Sequence, residues 1–146
     1  MVVLACLAVL TWTVALSVLD LRQRRLPNVL TLTGAVVIVA VCAGCGRGSA
    51  AVLGALGLGG LYLAVHLCAP AGMGGGDVKL ALGLGALTGA LGAPIWLLAA
   101  LGAPVLTVIL GAIVALRRRG SLMGTVVPHG PSMCLASLAA AAPAVF

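Results

Sequence analysis

VKLALGLGALTGALGAPIWLLAALGAPVLTVILGAIVAL, residues 78 to 116, decides how this chain folds. These 39 residues carry one charge, Lys79. As one straight helix they would reach about 58 Å, against a hydrocarbon core about 30 Å thick. The stretch must therefore turn. Leu91-Gly92-Ala93-Pro94 is the place, where Gly and Pro interrupt the apolar run. Two helices result, near 78–93 and 94–116.

The same reading applied outward places helices near 2–19, 29–45, 50–69 and 131–146. The fourth and sixth are short, so tilt or local bilayer thinning is expected there. The full chain has 146 residues, 63% of them apolar and 7% charged, and a mean hydropathy of +1.32. That is far from a soluble domain with a polar shell. At about 20 residues per crossing there is room for about six transmembrane helices and little else. The expectation is an all-α, polytopic membrane protein with one domain, residues 1–146.

Eight cations face two acids, Asp20 and Asp77, and Glu is absent. In so apolar a chain a basic excess reads as topology and not as nucleic-acid binding. Residues 2 to 19 lack the basic start of a signal peptide, and their positive cluster, Arg22, Arg24 and Arg25, follows the apolar run. They read as a retained helix entering from outside. Arg22, Arg24 and Arg25 fall in the first loop, Arg47 in the second, Lys79 at the end of the third, and Arg117 to Arg119 in the fifth. Odd loops thus hold seven of the eight cations, which places them in the cytoplasm and both termini outside. Asp20 and Asp77 then meet the same, cytoplasmic, face.

Gly54, Gly57, Gly59 and Gly60 in the third run, and Gly83, Gly85 and Gly89 in the fourth, have the spacing that lets helix backbones approach. Cys42 and Cys45 form a CxxC without a second pair, which reads as packing or an incidental disulfide. His66 and His129 are too few and too separated for a metal site, and the serines lack evident His/Asp partners. No metal and no cofactor is expected.

Asp77, taken alone, reads as a helix N-cap. Asp20 resists that reading, because it follows the first helix and meets the negative end of its dipole; alone it is a loop residue paired with the arginines after it. Two carboxylates on one face invite a joint explanation. Held close they share one proton, so that one takes a proton from water while the other donates to a carbonyl oxygen. Gly74-Gly75-Gly76 can adopt φ > 0 and admit a substrate backbone near the carboxylate. A competing reading makes Asp20 and Asp77 the proton or cation site of a small transporter with glycine hinges. Such a site calls for polar lining in several helices, and these helices offer little beyond Thr and Ser. A scaffold bundle for a secretion machine would explain the small residues but not the acids.

Three segments resemble the type IV prepilin peptidases, aspartic membrane proteases with a GxGD motif, in their short form. Asp20-Leu21-Arg22-Gln23-Arg24-Arg25-Leu26-Pro27-Asn28 is similar to the family's first aspartate with its basic stretch and apolar-Pro-Asn ending. Gly74-Gly75-Gly76-Asp77-Val78-Lys79-Leu80 resembles its GxGDxK segment, and Val127-Pro128-His129-Gly130-Pro131 its Pro-x-Gly-Pro loop. The resemblance implies that Asp20 and Asp77 are the catalytic pair. It implies that Pro27, Asn28, Gly74, Gly75, Gly76, Lys79, Pro128, Gly130 and Pro131 bind substrate or shape the loops around it. It further implies a multi-pass protein of the bacterial plasma membrane whose substrate is a prepilin or pseudopilin precursor, with pilus or secretion assembly components as further partners. Cleavage would fall on the cytoplasmic side, between a short basic leader and an apolar helix. Longer members carry an N-terminal cytosolic region with paired cysteines that goes with N-methylation; this chain begins in a helix, so methyltransferase activity is not expected. His129 stands where the family often has an aromatic residue and reads as a plain loop histidine.

Overall fold

The computed structural model describes residues 2–70, 72–117 and 128–145, which form six helices. These are α1 (Val2–Gln23), α2 (Asn28–Gly44), α3 (Gly48–Cys68), α4 (Gly75–Leu91), α5 (Ala93–Arg117) and α6 (Gly130–Val145). The fold is all-helical, and the long apolar stretch divides where its length demands. α4 ends at Leu91, and Gly92 takes φ 128° and ψ 158° before α5 starts at Ala93. A side chain rarely tolerates that φ, so glycine is what permits the turn. The Gly92 N–H donates to the Thr88 and Gly89 carbonyls, closing the last turn of α4.

Three of the six helices, α1, α3 and α5, are long and apolar enough to cross a membrane. The others are shorter, with 17 residues in α2 and α4 and 16 in α6. Length and composition thus support a membrane protein with three such spans, fewer than the six expected. α1 also runs past its expected end at residue 19 and stops at Gln23. Arg24 closes it with φ 50°, its N–H donating to the Asp20 carbonyl at 2.9 Å. A non-glycine residue there costs on the order of 1 kcal/mol. Asp20 consequently sits in the last turn of α1 and not in the loop after it.

α4 lies at the centre, packed on α2, α3, α5 and α6, and its contact with α3 is the most extensive of the fold. Small residues make that contact possible. A Cβ at Gly54 would stand 2.7 Å from the Gly89 Cα, and one at Gly85 would stand 2.5 Å from the Gly54 carbonyl oxygen. Leu80 and Leu84 of α4 are fully buried beside Leu16 and Met133. Two indoles tie outer helices inward: Trp12 donates to the Leu30 carbonyl at 2.9 Å and Trp96 to the Gly54 carbonyl at 3.0 Å. Val3, Leu7, Leu53, Val108 and Leu116 point outward, an apolar exterior suited to lipid.

Candidate active site

Asp20 is buried, 8% exposed, although it is one of only two acids in the chain. Its Oδ2 accepts the Gly130 N–H at 3.1 Å. Gly130 is the first residue of α6, where backbone N–H groups lack helical partners and the dipole is positive. The start of α6 therefore compensates Asp20 for its place at the negative end of α1. Taken alone in the sequence, Asp20 reads as a partner of the arginines that follow it; in the structure a backbone donor 110 positions away meets its carboxylate. Only glycine fits there, since a Cβ at Gly130 would lie 2.6 Å from the Asp20 Oδ2.

Asp77 is not the N-cap of α4. Gly74 is, with φ −73° and ψ 145°, and Asp77 is the third helical residue, its own N–H donating to the Gly74 carbonyl at 3.1 Å. The carboxylate still lies in the first turn, near the positive dipole end. None of Gly74, Gly75 and Gly76 has a positive φ; among the described residues the glycines that do are Gly46 and Gly92. What Gly76 supplies is clearance, because a Cβ there would stand 3.2 Å from the Leu26 Cβ and 3.3 Å from its Cδ1. The expected left-handed conformation failed because the helix begins two residues before Asp77.

Asp20 and Asp77 open on one cavity of about 530 Å³, which Gly74, Gly75, Gly76, Lys79, Pro128 and His129 also line. The carboxylates are close enough for the charge of Asp20 to act on Asp77. Arg24 and Arg25 stand at the same cavity. Asn28 opens α2, and its Oδ1 accepts from the Lys79 ammonium at 2.7 Å, joining the starts of α2 and α4. Pro27 is the N-cap of α2, and its carbonyl accepts from the Leu30 and Thr31 N–H groups. Pro131 is the second residue of α6, where its missing N–H leaves no helical bond unmade. Val127, Arg118 and Arg119 lie outside the described residues.

Several contributors escaped sequence reading. His66, in the last turn of α3, donates from Nδ1 to the Met73 carbonyl at 2.7 Å and so fixes the segment leading to Gly74. His129 is half-buried and bonded on both ring nitrogens, to Tyr62 at 2.9 Å and to Thr107 at 2.6 Å. It is not a plain loop histidine, and burial pushes its imidazole below the usual pKa. Only its place beside Gly130 could have signalled this. Cys42 and Cys45 are free thiols, and among the described residues no three His, Cys or acidic side chains gather as metal ligands.

A family model described as the type IV leader peptidase family matches residues 7–116. The chain belongs to the type IV leader peptidase family. It is thus a peptidase of the hydrolase class, and the matched stretch carries both aspartates, the glycine run, all of α2, α3 and α4 and most of α1 and α5. The peptidase's α6, with the Gly130 that holds Asp20, lies beyond the match. No match is found among curated proteins or solved structures.

Proposed function

We propose that this peptidase removes the short basic leader from type IV pilin-like precursors, using Asp20 and Asp77 as a pair that activates water. The observation that carries the reading is the meeting of both acids of the chain at one cavity, with a backbone donor fixed on one of them. In the reaction the pair holds a single proton. The ionised carboxylate takes a proton from water as the water oxygen attacks the scissile carbonyl carbon, and the protonated one delivers its proton to the carbonyl oxygen. The resulting diol collapses: the carboxyl that took water's proton gives it to the leaving nitrogen as the C–N bond breaks, and a diol hydroxyl returns its proton to the other carboxylate, restoring the singly protonated pair. No side-chain nucleophile takes part.

The topology that goes with this function has all six helices in the bilayer and both termini outside. Positive charges in the odd loops support a cytoplasmic cavity, facing a precursor whose basic leader is held on that side. The glycine run adds no side chains to the cavity wall beside Asp77, so that an extended substrate backbone can approach the carboxylate there. The lipid bilayer holds the precursor's apolar segment beside the enzyme.

The test is cleavage of candidate pilin precursors, followed by mass, with Asp20→Asn and Asp77→Asn. Each substitution should remove activity by at least about 10³-fold, and the double variant should be no worse, as for groups that act as one unit. Asn is nearly isosteric with Asp, so insertion and folding should survive. A single Asn variant that trims its precursor at the wild-type rate would end the two-aspartate mechanism.

A further inference from the structure

Tyr62 of α3, Thr107 of α5 and His129, which precedes α6, form one chain of hydrogen bonds that reaches the cavity through His129. Its direction follows from its far end. Thr107 Oγ1 lies 3.0 Å from the Ala103 carbonyl oxygen, which can only accept, so the single hydroxyl proton of Thr107 is used there. Thr107 must then accept from the ring at 2.6 Å, which puts the imidazole proton on Nδ1. A neutral ring so protonated has a bare Nε2, and Tyr62 Oη, 2.9 Å away, donates to it. Tyr62 is 4% exposed, so loss of that acceptor would leave a buried hydroxyl proton without a partner.

The next residue is Gly130, whose N–H meets Asp20. The His129 carbonyl also accepts the Met133 N–H at 3.1 Å, so the residue just before α6 takes that helix's first backbone bond. We propose that His129 is a positioning residue: its neutral Nδ1–H form, clamped between Tyr62 and Thr107, holds the Gly130 N–H against the Asp20 carboxylate. Burial favours the uncharged ring. Tyr62 from α3 and Thr107 from α5 face this ring, and the cavity that His129 lines is shared with Asp20 from α1, Asp77 and Lys79 from α4, and Arg24 and Arg25. Protonation of Nε2 would set a donor against the Tyr62 hydroxyl and loosen the clamp. This inference rests on the two-aspartate reading for its catalytic consequence, but the tautomer does not depend on it.

Two measurements test it. In ¹⁵N-histidine-labelled protein in detergent at pH 7, the His129 ring should show a protonated Nδ1 and an unprotonated Nε2. The opposite tautomer would overturn the assignment. In precursor cleavage, His129→Phe keeps aromatic bulk and removes both hydrogen bonds. It should lower kcat roughly tenfold with KM little changed, as expected when a reacting group is misplaced. Both limbs of the pH–rate profile should also move to higher pH, because a carboxylate that loses its donor holds its proton more tightly. Thr107→Val should shift the profile the same way, and Thr107→Ser, which retains the oxygen, should restore it. If His129→Phe keeps the wild-type kcat and profile, or only lowers the yield of folded protein, the ring merely packs and the inference fails. That failure is distinct from failure of the dyad, which would appear as activity surviving in Asp20→Asn or Asp77→Asn.

Discussion

Gly130 has no space for a side chain, because a Cβ would press within 2.6 Å of the Asp20 Oδ2. Gly130→Ala should therefore push the carboxylate off its donor and lower turnover by about 10²-fold, as for a displacement of about 1 Å at a reacting group. Membrane insertion and detergent-soluble yield should be unaffected; wild-type turnover would mean that Asp20 does not need this N–H. Gly76→Val presses instead on Leu26, a side chain that can partly yield, so its loss should be smaller. Unchanged cleavage by Gly76→Val would reduce the glycine run to a linker. The two aspartates were legible in the sequence because no other acids compete with them, and both do reach one cavity. The partner of Asp20 was not legible, since local reading favours neighbouring arginines and the true donor is 110 positions away. Nor could spacing reveal whether Gly76 serves by its φ or by its lack of a Cβ; that depends on where α4 begins.

Helix ends account for most of the difference between expectation and structure. The break at Gly92 was readable because a single apolar run of that length cannot fit a bilayer. The end of α1 was not, because Leu21 and Gln23 suit a helix as well as a loop and an Arg at φ 50° supplies the stop without glycine. The third and fourth helices were expected to approach closely on small residues, and α3 and α4 do form the largest contact. Which glycines touch was beyond a pattern reading. Gly54 meets Gly85 and Gly89, whereas Gly60 has nothing within 4 Å. Gly54→Val should destabilise by about 1–3 kcal/mol through overpacking, while Gly60→Ala should stabilise by up to about 1 kcal/mol through helix propensity. Thermal unfolding in detergent separates them, and equal Tm values for the two variants would show that α3 and α4 are not in tight contact.

For the molecule entire, the charge pattern makes a prediction independent of any side-chain contact. Reporters fused after Arg119 should read cytoplasmic and reporters fused at Phe146 external, since seven of eight cations fall in the odd loops or in the helix ends that border them. A cytoplasmic signal at Phe146 would mean that one of the short helices α2, α4 or α6 does not cross. The chain also assembles its centre from parts far apart in order: Asp20 on α1, Asp77 on α4 and the Gly130 donor on α6. During translation these emerge in that sequence, with the donor 53 residues after Asp77. Both acids are therefore in the membrane before the group that orients the first of them has left the ribosome. If Asp20 and Asp77 act as the proposed pair, proteolytic competence arrives only with α6, and a chain made as far as α5 has no finished centre with which to cut its neighbours in the insertion machinery.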